Sequence, residues 1–193
     1  MTMAWIAIVL LALVIAAVGV AGYGVSLYNG LVQVKHQVDQ AWANIDVLLK
    51  QRHDELPKLI DALRGYVSHE RGLLESVTAM RTRAQATGAG SERVAAEEAL
   101  SQGVSRLLVV AEGYPQLRAS EVFMDLQQRI SALEEQIAHR REFYNAAVNI
   151  NTVRMEQFPD MLLTSLAQLV RRPLFETTDA ERADVDIAAR LGP

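Results

Sequence analysis

The sequence contains no cysteine. This absence excludes a disulfide framework, a thiolate zinc site and a cysteine nucleophile. Aromatic residues are also scarce, at 6% of the chain, although 50% of the residues are hydrophobic. Strands favour aromatic residues and alternating β-branched ones, so this composition favours an all-α fold.

The chain also lacks an excess of positive charge. It carries 19 lysines and arginines against 23 aspartates and glutamates, which gives a net charge of -4. A nucleic-acid-binding protein usually presents a basic surface, because its affinity comes largely from phosphate contacts. We therefore predict that nucleic acid is not a partner.

The N-terminal part of the chain has no charged side chain before Lys35, and the stretch from Ala4 to Leu27 is strongly apolar. A bilayer core of roughly 30 Å needs about 20 apolar helical residues, so this run is long enough to cross it. Trp5 and Tyr23 stand near its two ends, where interfacial aromatic residues are favoured. Residues 1–27 are therefore predicted to be a transmembrane anchor, with the lipid bilayer as a partner.

A cleaved signal peptide is the competing interpretation of this segment. Such a peptide needs a basic start and an apolar core of about 7–15 residues, and Gly19-Val20-Ala21 would serve as a cleavage site. The chain begins with Met-Thr-Met and the apolar run is longer, so the anchor is favoured. The flanking charges do not orient the anchor, since only Lys35 lies near it.

After the anchor, apolar residues recur at seven-residue spacing in two adjacent series. The first series is Leu31, Val38, Ile45, Leu59, Tyr66, Leu73 and Met80, and the second is Trp42, Leu49, Leu56, Leu63 and Val77. Two adjacent ridges form the apolar face of a helix in a bundle. We predict one long helix from the anchor to the loop at 86–92, with Pro57 causing a kink rather than a break because the spacing keeps its phase.

Three further helices are predicted. Ser91 is placed to cap a helix from Glu92 to Gly113, and Ser120 to cap a long third helix that ends at the "QFPD" of residues 157–160. A short last helix follows over 161–172. The predicted organisation is therefore an anchor at 1–27, an antiparallel helical bundle at 28–175 and an acidic, mobile tail at 176–193.

Motifs for known chemistry are missing. The His69-Glu70 pair resembles the start of a zinc-protease pattern, but the required second histidine position is Leu73. No histidine follows a glutamate by three residues, as carboxylate-bridged metal sites in bundles require. The phosphate-binding glycine loop and the nucleophile-elbow serine are missing too. We predict no metal, no cofactor, no small-molecule substrate and no enzymatic activity.

Some polar residues lie on the apolar ridges, where an unpaired charge would be costly. They are Arg52, Glu70, Glu134, Arg141 and Asn151. We hypothesise that the two arginines pair with Asp54, Glu70 or Glu134 between helices and so fix their alignment. The alternative is a ligand-binding or enzymatic site built from Arg52, Asp54, His69 and Glu70. His53 and His69 are predicted to lie at the surface or at a helix flank.

Several long motifs resemble the LemA family. They are "YNGLV" at 28–32, "AWANIDVLLKQRHDELPKLI" at 41–60, "GYVSHE" at 65–70, "EGYPQLRASEVFMDLQ" at 112–127 and "RREFYNAAVNINTVRMEQFP" at 140–159. They occur in the family's order and span about residues 1–175. Gln51, Lys58 and Ser120 depart from residues common in the family.

The resemblance implies a bacterial protein with one membrane helix, an antiparallel helical bundle on the cytoplasmic side and no established enzymatic activity. Members of the family are associated with membrane metalloproteases and small membrane-anchored proteins, and one relative takes part in magnetosome formation. We therefore expect a scaffold or adaptor of the cell membrane that self-assembles or works with a membrane protease. A structural protein that shapes membranes is an alternative.

Overall fold

A computed structural model describes residues 2–66 and 70–175 of the protein. Most of these residues are helical. The α-helices there are α1 (Thr2–Arg64), α2 (Arg71–Ala86), α3 (Ser91–Glu112), α4 (Pro115–Arg118) and α5 (Glu121–Glu156), and a 3-10 turn covers Asp160–Leu162. These ranges contain no β-strand, so the predicted all-α helical bundle is confirmed. The predicted acidic tail lies outside the described residues.

The chain divides into two compact units. Among the described residues, the first unit combines residues 2–48 with Ile137–Arg172, and the second combines Leu49–Gln136 with residues 173–175. Helices α1 and α5 contribute residues to both units. Each unit has buried residues of its own, and the two are described in turn.

The beginning of α1 is the apolar segment of the first unit. Every large apolar side chain from Trp5 to Val25 is more than half exposed. Within the described part of the chain, α1 is the one helix long and apolar enough to cross a membrane. Such an exposed apolar surface is unfavourable in water and is the surface that a bilayer would cover.

Beyond this segment, α1 packs antiparallel to the second half of α5. Trp42 meets Tyr144 edge to face, with ring centroids 5.5 Å apart. Further toward the N-terminus, a Cβ on Gly30 would lie 3.0 Å from the Arg154 guanidinium, so the absence of a side chain lets this arginine approach. Gly30 therefore faces Arg154, whereas Trp42 faces Tyr144, so the two helices run in opposite directions. Helix α5 runs toward the apolar segment.

Residues 157–170, which we call the lobe, turn back after α5 and cover the start of the bundle. Ala167 and Leu169 of the lobe are buried with Leu31 of α1. The predicted short last helix over 161–172 is wrong, because only a 3-10 turn forms at Asp160–Leu162. Gln168 takes a positive φ of 55° and so interrupts helical geometry.

The second unit contains the larger core, which α1, α2, α3, α4 and α5 all help to form. Its buried members are Leu56, Leu59, Ile60, Leu63, Leu74, Val77, Ala84, Ala96, Leu100, Val104, Leu107, Ala111, Leu117, Phe123, Leu126 and Ile130. Burial of these side chains supplies the main stabilisation of the unit, because each valine, leucine, isoleucine or phenylalanine side chain removed from water contributes about 1.5–3 kcal/mol.

The prediction of one helix from the anchor to residue 86 is wrong in one respect. As expected, α1 continues through Pro57, but it ends at Arg64, and the chain turns before α2 begins. Gly65 follows the last helical residue, and glycine disfavours helix by about 1 kcal/mol relative to alanine. The seven-residue series therefore runs across two helices, α1 and α2. The buried face of α2 is formed by Leu74, Val77 and Ala84.

The two predicted serine caps differ in outcome. Ser91 is the first residue of α3, and Gly90 is its N-cap, with a φ of 126° that favours glycine. The prediction for Ser91 is therefore wrong. Ser120 precedes α5 as predicted, and its Oγ accepts a long hydrogen bond of 3.4 Å from the backbone N–H of Phe123.

Candidate functional site

The most extensive polar cluster of the second unit is centred on Arg52, whose side chain is fully buried. One terminal nitrogen, Nη2, donates to Glu97 Oε2 at 2.5 Å and to the Glu97 carbonyl oxygen at 3.3 Å. The other, Nη1, donates to Glu134 Oε1 at 2.9 Å and to Ser101 Oγ at 2.5 Å. Arg52 on α1 therefore joins a carboxylate of α3 to a carboxylate of α5.

Glu97 is the anionic centre of this cluster and is also fully buried. Its Oε1 accepts hydrogen bonds from His53 Nε2 at 3.0 Å and from Arg93 Nε at 2.9 Å. Burial tends to raise the pKa of this carboxyl, but the His53 hydrogen bond and the Arg52 charge outweigh burial and lower the pKa to about 2. Glu97 is therefore ionised at neutral pH.

Glu134 and Ser101 extend the cluster. Ser101 Oγ accepts from Arg52 and donates to Glu134 Oε2 at 2.9 Å, so the hydroxyl uses both its donor and an acceptor position. The Glu134 side chain is 20% exposed, which places this end of the cluster closer to solvent than Glu97. Arg52 and Arg93 balance the charges of Glu97 and Glu134, as buried charges require.

Helix α2 joins the cluster through a backbone group that Pro57 leaves without its usual partner. In an α-helix the carbonyl of residue 53 would accept from the N–H of residue 57, and proline has no N–H. Arg81 Nε donates instead to the His53 carbonyl oxygen, at 2.7 Å. A side chain of α2 thus replaces the hydrogen bond that Pro57 removes from α1.

This replacement predicts an interaction between positions 57 and 81. Arg81→Met should lower the free energy of unfolding by about 1–3 kcal/mol, because the buried His53 carbonyl loses its donor. In the Pro57→Ala background the cost should shrink, since the backbone N–H at position 57 becomes available. Thermal unfolding of the four proteins of this double-mutant cycle measures the coupling.

The matched control is Arg83→Met, which alters an exposed arginine of the same helix. We expect this change to shift the free energy of unfolding by less than about 0.5 kcal/mol. An equal cost of Arg81→Met with and without Pro57 would contradict the proposed exchange of donors.

The residues singled out in the sequence have different positions. Arg52 and Glu134 are in direct contact, whereas Asp54, two residues along α1, points about 200° away from Arg52 and is exposed. Glu70 is half-buried at the N-cap of α2, where its side chain makes no capping hydrogen bond. His69 lies outside the described residues. Arg52 and Asp54 therefore do not point into one site.

The other two singled-out residues belong to the first unit. Arg141 is half-buried on α5 and has at least one interaction partner. Asn151 is buried, and its Nδ2 donates to the carbonyl oxygen of Val170 at 2.9 Å, which fixes the end of the lobe to α5. The role of the polar residues in helix alignment stays a prediction.

Several members of the cluster were missed from the sequence. His53 was expected at a surface or helix flank, but it is 3% exposed, so that prediction is wrong. Its ring is buried because it reaches Glu97, which had not been singled out. Glu97 continues the seven-residue series of Val104 and Ala111, and this spacing could have identified it. The same seven-residue spacing places Arg93 before Leu100, Ser101 before Leu108 and Arg81 after Leu74, so it could have indicated these residues too.

The cluster has the properties of a structural element rather than an open site. Arg52, His53 and Glu97 are each at most 3% exposed, so no face of their charged groups is open to a substrate. In the ranges that the structure describes, no three histidine, aspartate or glutamate side chains are grouped so that they could hold a metal ion. The chemistry available here is ion pairing that connects α1, α2, α3 and α5.

An exposed apolar segment and a helical bundle with a sealed ion-pair cluster define a membrane-associated helical protein. Residues 41–188 match the LemA family, and the chain belongs to that family. This match agrees with the resemblance noted from the motifs.

Two kinds of relative are similar to the chain. Protein LemA from Metamycoplasma hominis is 26% identical over 82% of this chain and 73% of its own length. Magnetosome proteins MamQ 2 and MamQ 1 from Paramagnetospirillum magneticum are each 21% identical over 79% of this chain and 66% of their own length. The chain thus spans just under two thirds of the magnetosome proteins.

Proposed function

We propose that this LemA-family protein is a non-enzymatic scaffold or adaptor, anchored in the bacterial cell membrane by a single span with its bundle in the cytoplasm. It works by self-assembly or by holding another membrane protein such as a protease. The observation that carries this proposal is the course of α1. The same helix provides the exposed apolar segment and the buried Leu31, Val38 and Ile45.

This continuity supports a scaffold because it couples an anchor to a folded surface. Leu31, only four residues beyond Leu27, is already buried within the first unit. Four helical residues span about 6 Å, so the packed part of this unit begins next to the predicted membrane boundary. A protein held in this way presents its bundle close to the bilayer, where other membrane proteins are within reach.

The ion-pair cluster supports a non-enzymatic role. A catalytic group must lie within hydrogen-bond reach of a substrate, and catalytic pKa values usually lie near the working pH. Glu97 is instead fully buried, accepts hydrogen bonds from three side chains and has a pKa of about 2. These properties suit a group that stabilises helix packing.

Proximity crosslinking of the full-length protein in membranes tests the proposal. Because the chain has no cysteine, a photoreactive probe can be attached at one site, either Phe143→Cys in the first unit or Val122→Cys in the second, both of which replace exposed side chains. We expect a discrete product heavier than the 21.3 kDa chain, which mass spectrometry identifies as two copies or as this protein with another membrane protein.

Unreacted monomer alone from both positions, at every expression level tested, would contradict the scaffold. A regular ladder of many copies would favour the membrane-shaping alternative over an adaptor. The same probe without illumination is the control for adventitious association.

A further inference from the structure

The lobe exposes an unusual set of large apolar side chains. The exposed fractions are 72% for Phe158, 50% for Met161, 66% for Leu162, 66% for Leu166 and 53% for Val170. Large exposed apolar side chains grouped in one short segment indicate an interaction site in a soluble domain or contact with a membrane. The five side chains therefore need an apolar neighbour that the first unit does not supply.

The lobe also presents no exposed charge. Asp160 is the one charged residue between Gln157 and Val170, and it is buried in an ion pair with Arg154 of α5. Surfaces of water-soluble proteins usually mix charged and polar side chains. A charge-free apolar surface is what the boundary between lipid headgroups and acyl chains would accept.

The position of the lobe indicates which apolar neighbour is close. Helix α5 runs toward the apolar segment, with Arg154 beside Gly30, and it ends at Glu156 where the lobe begins. Partly buried Leu163 of the lobe packs on the Leu31 cluster, which also includes Tyr28. Tyr28 directly follows Leu27, the last residue of the predicted anchor, so the lobe lies at the membrane end of the first unit.

The backbone of the lobe is suited to this location. Several of its N–H groups find acceptors inside the lobe, among them Met161 bonded to Gln157 at 2.9 Å, Ala167 to Leu163 at 2.9 Å and Leu169 to Thr164 at 3.0 Å. Polar backbone groups near hydrocarbon need such internal partners, because water is scarce there. The lobe can therefore enter the interface without leaving these donors unpaired.

We propose that the lobe is a second membrane contact, with Phe158, Met161, Leu162 and Leu166 inserted at the headgroup boundary of the bilayer that α1 crosses. This inference rests on the proposed membrane span and adds a lipid-binding surface to it. Lipid is favoured over a second copy of the chain because the surface adjoins the end of the anchor. The contact fixes the bundle to the bilayer at two places, the anchor and the lobe.

Quenching by brominated lipids tests this contact in the full-length protein. An environment-sensitive fluorophore is attached to one of three single-cysteine variants, Leu162→Cys in the lobe, Val14→Cys in the anchor or Val47→Cys in the bundle. Val47 is a matched control because it is 59% exposed in the same unit but lies 20 residues beyond Leu27, about 30 Å along α1. The labelled proteins are reconstituted into vesicles with and without lipids brominated near the headgroup or deeper in the chain.

We expect shallow bromines to quench the Leu162 probe strongly, deeper bromines to quench the Val14 probe, and neither to quench the Val47 probe. Quenching at Val14 without quenching at Leu162 would overturn the lobe contact and leave the span intact. If neither probe is quenched, the span fails and the lobe contact fails with it. A disulfide-linked dimer of the unlabelled Leu162→Cys protein, together with no quenching of the labelled one, would assign the lobe to a second copy and so overturn the proposal.

Discussion

Arg52→Met should lower the free energy of unfolding of the full-length protein in detergent by about 3–5 kcal/mol, because it leaves two carboxylates without their shared cation. Glu97 would keep His53 and Arg93 as donors, but it would lose the 2.5 Å ion pair to Arg52. Glu134 would lose its contact to Arg52 as well. In a chain of this size such a loss lowers the melting temperature by on the order of 10 °C, measured by circular dichroism.

The control for Arg52 is Arg129→Met, which removes an arginine of the same unit that is 47% exposed and paired with Glu55 and Asp125. Exposed ion pairs contribute about 0–1 kcal/mol, so this change should be nearly silent. Adding Glu97→Leu to Arg52→Met should recover part of the lost stability, since one stranded charge is removed. Equal effects of Arg52→Met and Arg129→Met would contradict the buried cluster.

The second large effect is on acid stability. The pKa of Glu97 falls from an ordinary 4.5 to about 2 in the folded protein, mainly because the His53 hydrogen bond and the Arg52 charge outweigh the effect of burial. A carboxyl with a lowered pKa stabilises the fold above its unfolded pKa and loses this contribution as the pH falls toward the folded value. We expect about 3 kcal/mol to be lost between pH 4.5 and pH 2.

Comparison with Glu97→Gln isolates this contribution. The amide cannot titrate, so melting temperatures of the variant and the unaltered protein should differ most near pH 7 and converge as the pH approaches 2. Glu55→Gln is the control, because the pKa of Glu55 is lowered by a hydrogen bond from exposed Lys58. Its effect should be smaller, since an exposed pair is screened by water. Parallel pH curves for Glu97→Gln and the unaltered protein would contradict the assignment.

The helical class and the apolar segment could be predicted from the sequence because both depend on local patterns. Seven-residue spacing and an uncharged N-terminal run each indicate a single helix, without information on its neighbours. Helix α1 continues through Pro57, as this spacing predicts. The end of α1 at Arg64 could not be predicted from the same spacing. Leu63 and Val77 are both buried although they lie on different helices, so their shared phase is a coincidence of the turn between them.

The ion-pair cluster was only partly predictable for a similar reason. Arg52 interrupts the apolar series of Ile45 and Leu59, and Glu134 shares a series with Val148. A charge at such a position has to be paired. Arg81 follows Leu74 by seven residues, and Ser101 lies seven residues after Val94. The spacing does not show that Arg81 donates to a backbone carbonyl or that Ser101 donates to a partly exposed carboxylate. The choice of partner depends on which helices meet, and this is a property of the tertiary structure.

The central claim is that the ion-pair cluster around Arg52 stabilises the fold of a scaffold and does not itself bind a partner. The most direct test alters the cluster, keeps the protein folded and measures its assembly. The measurement is the yield of the photocrosslinked product from the Phe143→Cys protein in membranes at pH 7. The second change is either Glu97→Gln or the milder Arg93→Met. The temperature is one at which each protein retains its full helical signal. We expect the same yield as without the second change. Loss of the product from a protein that is still fully folded would contradict this interpretation and make the cluster a binding site.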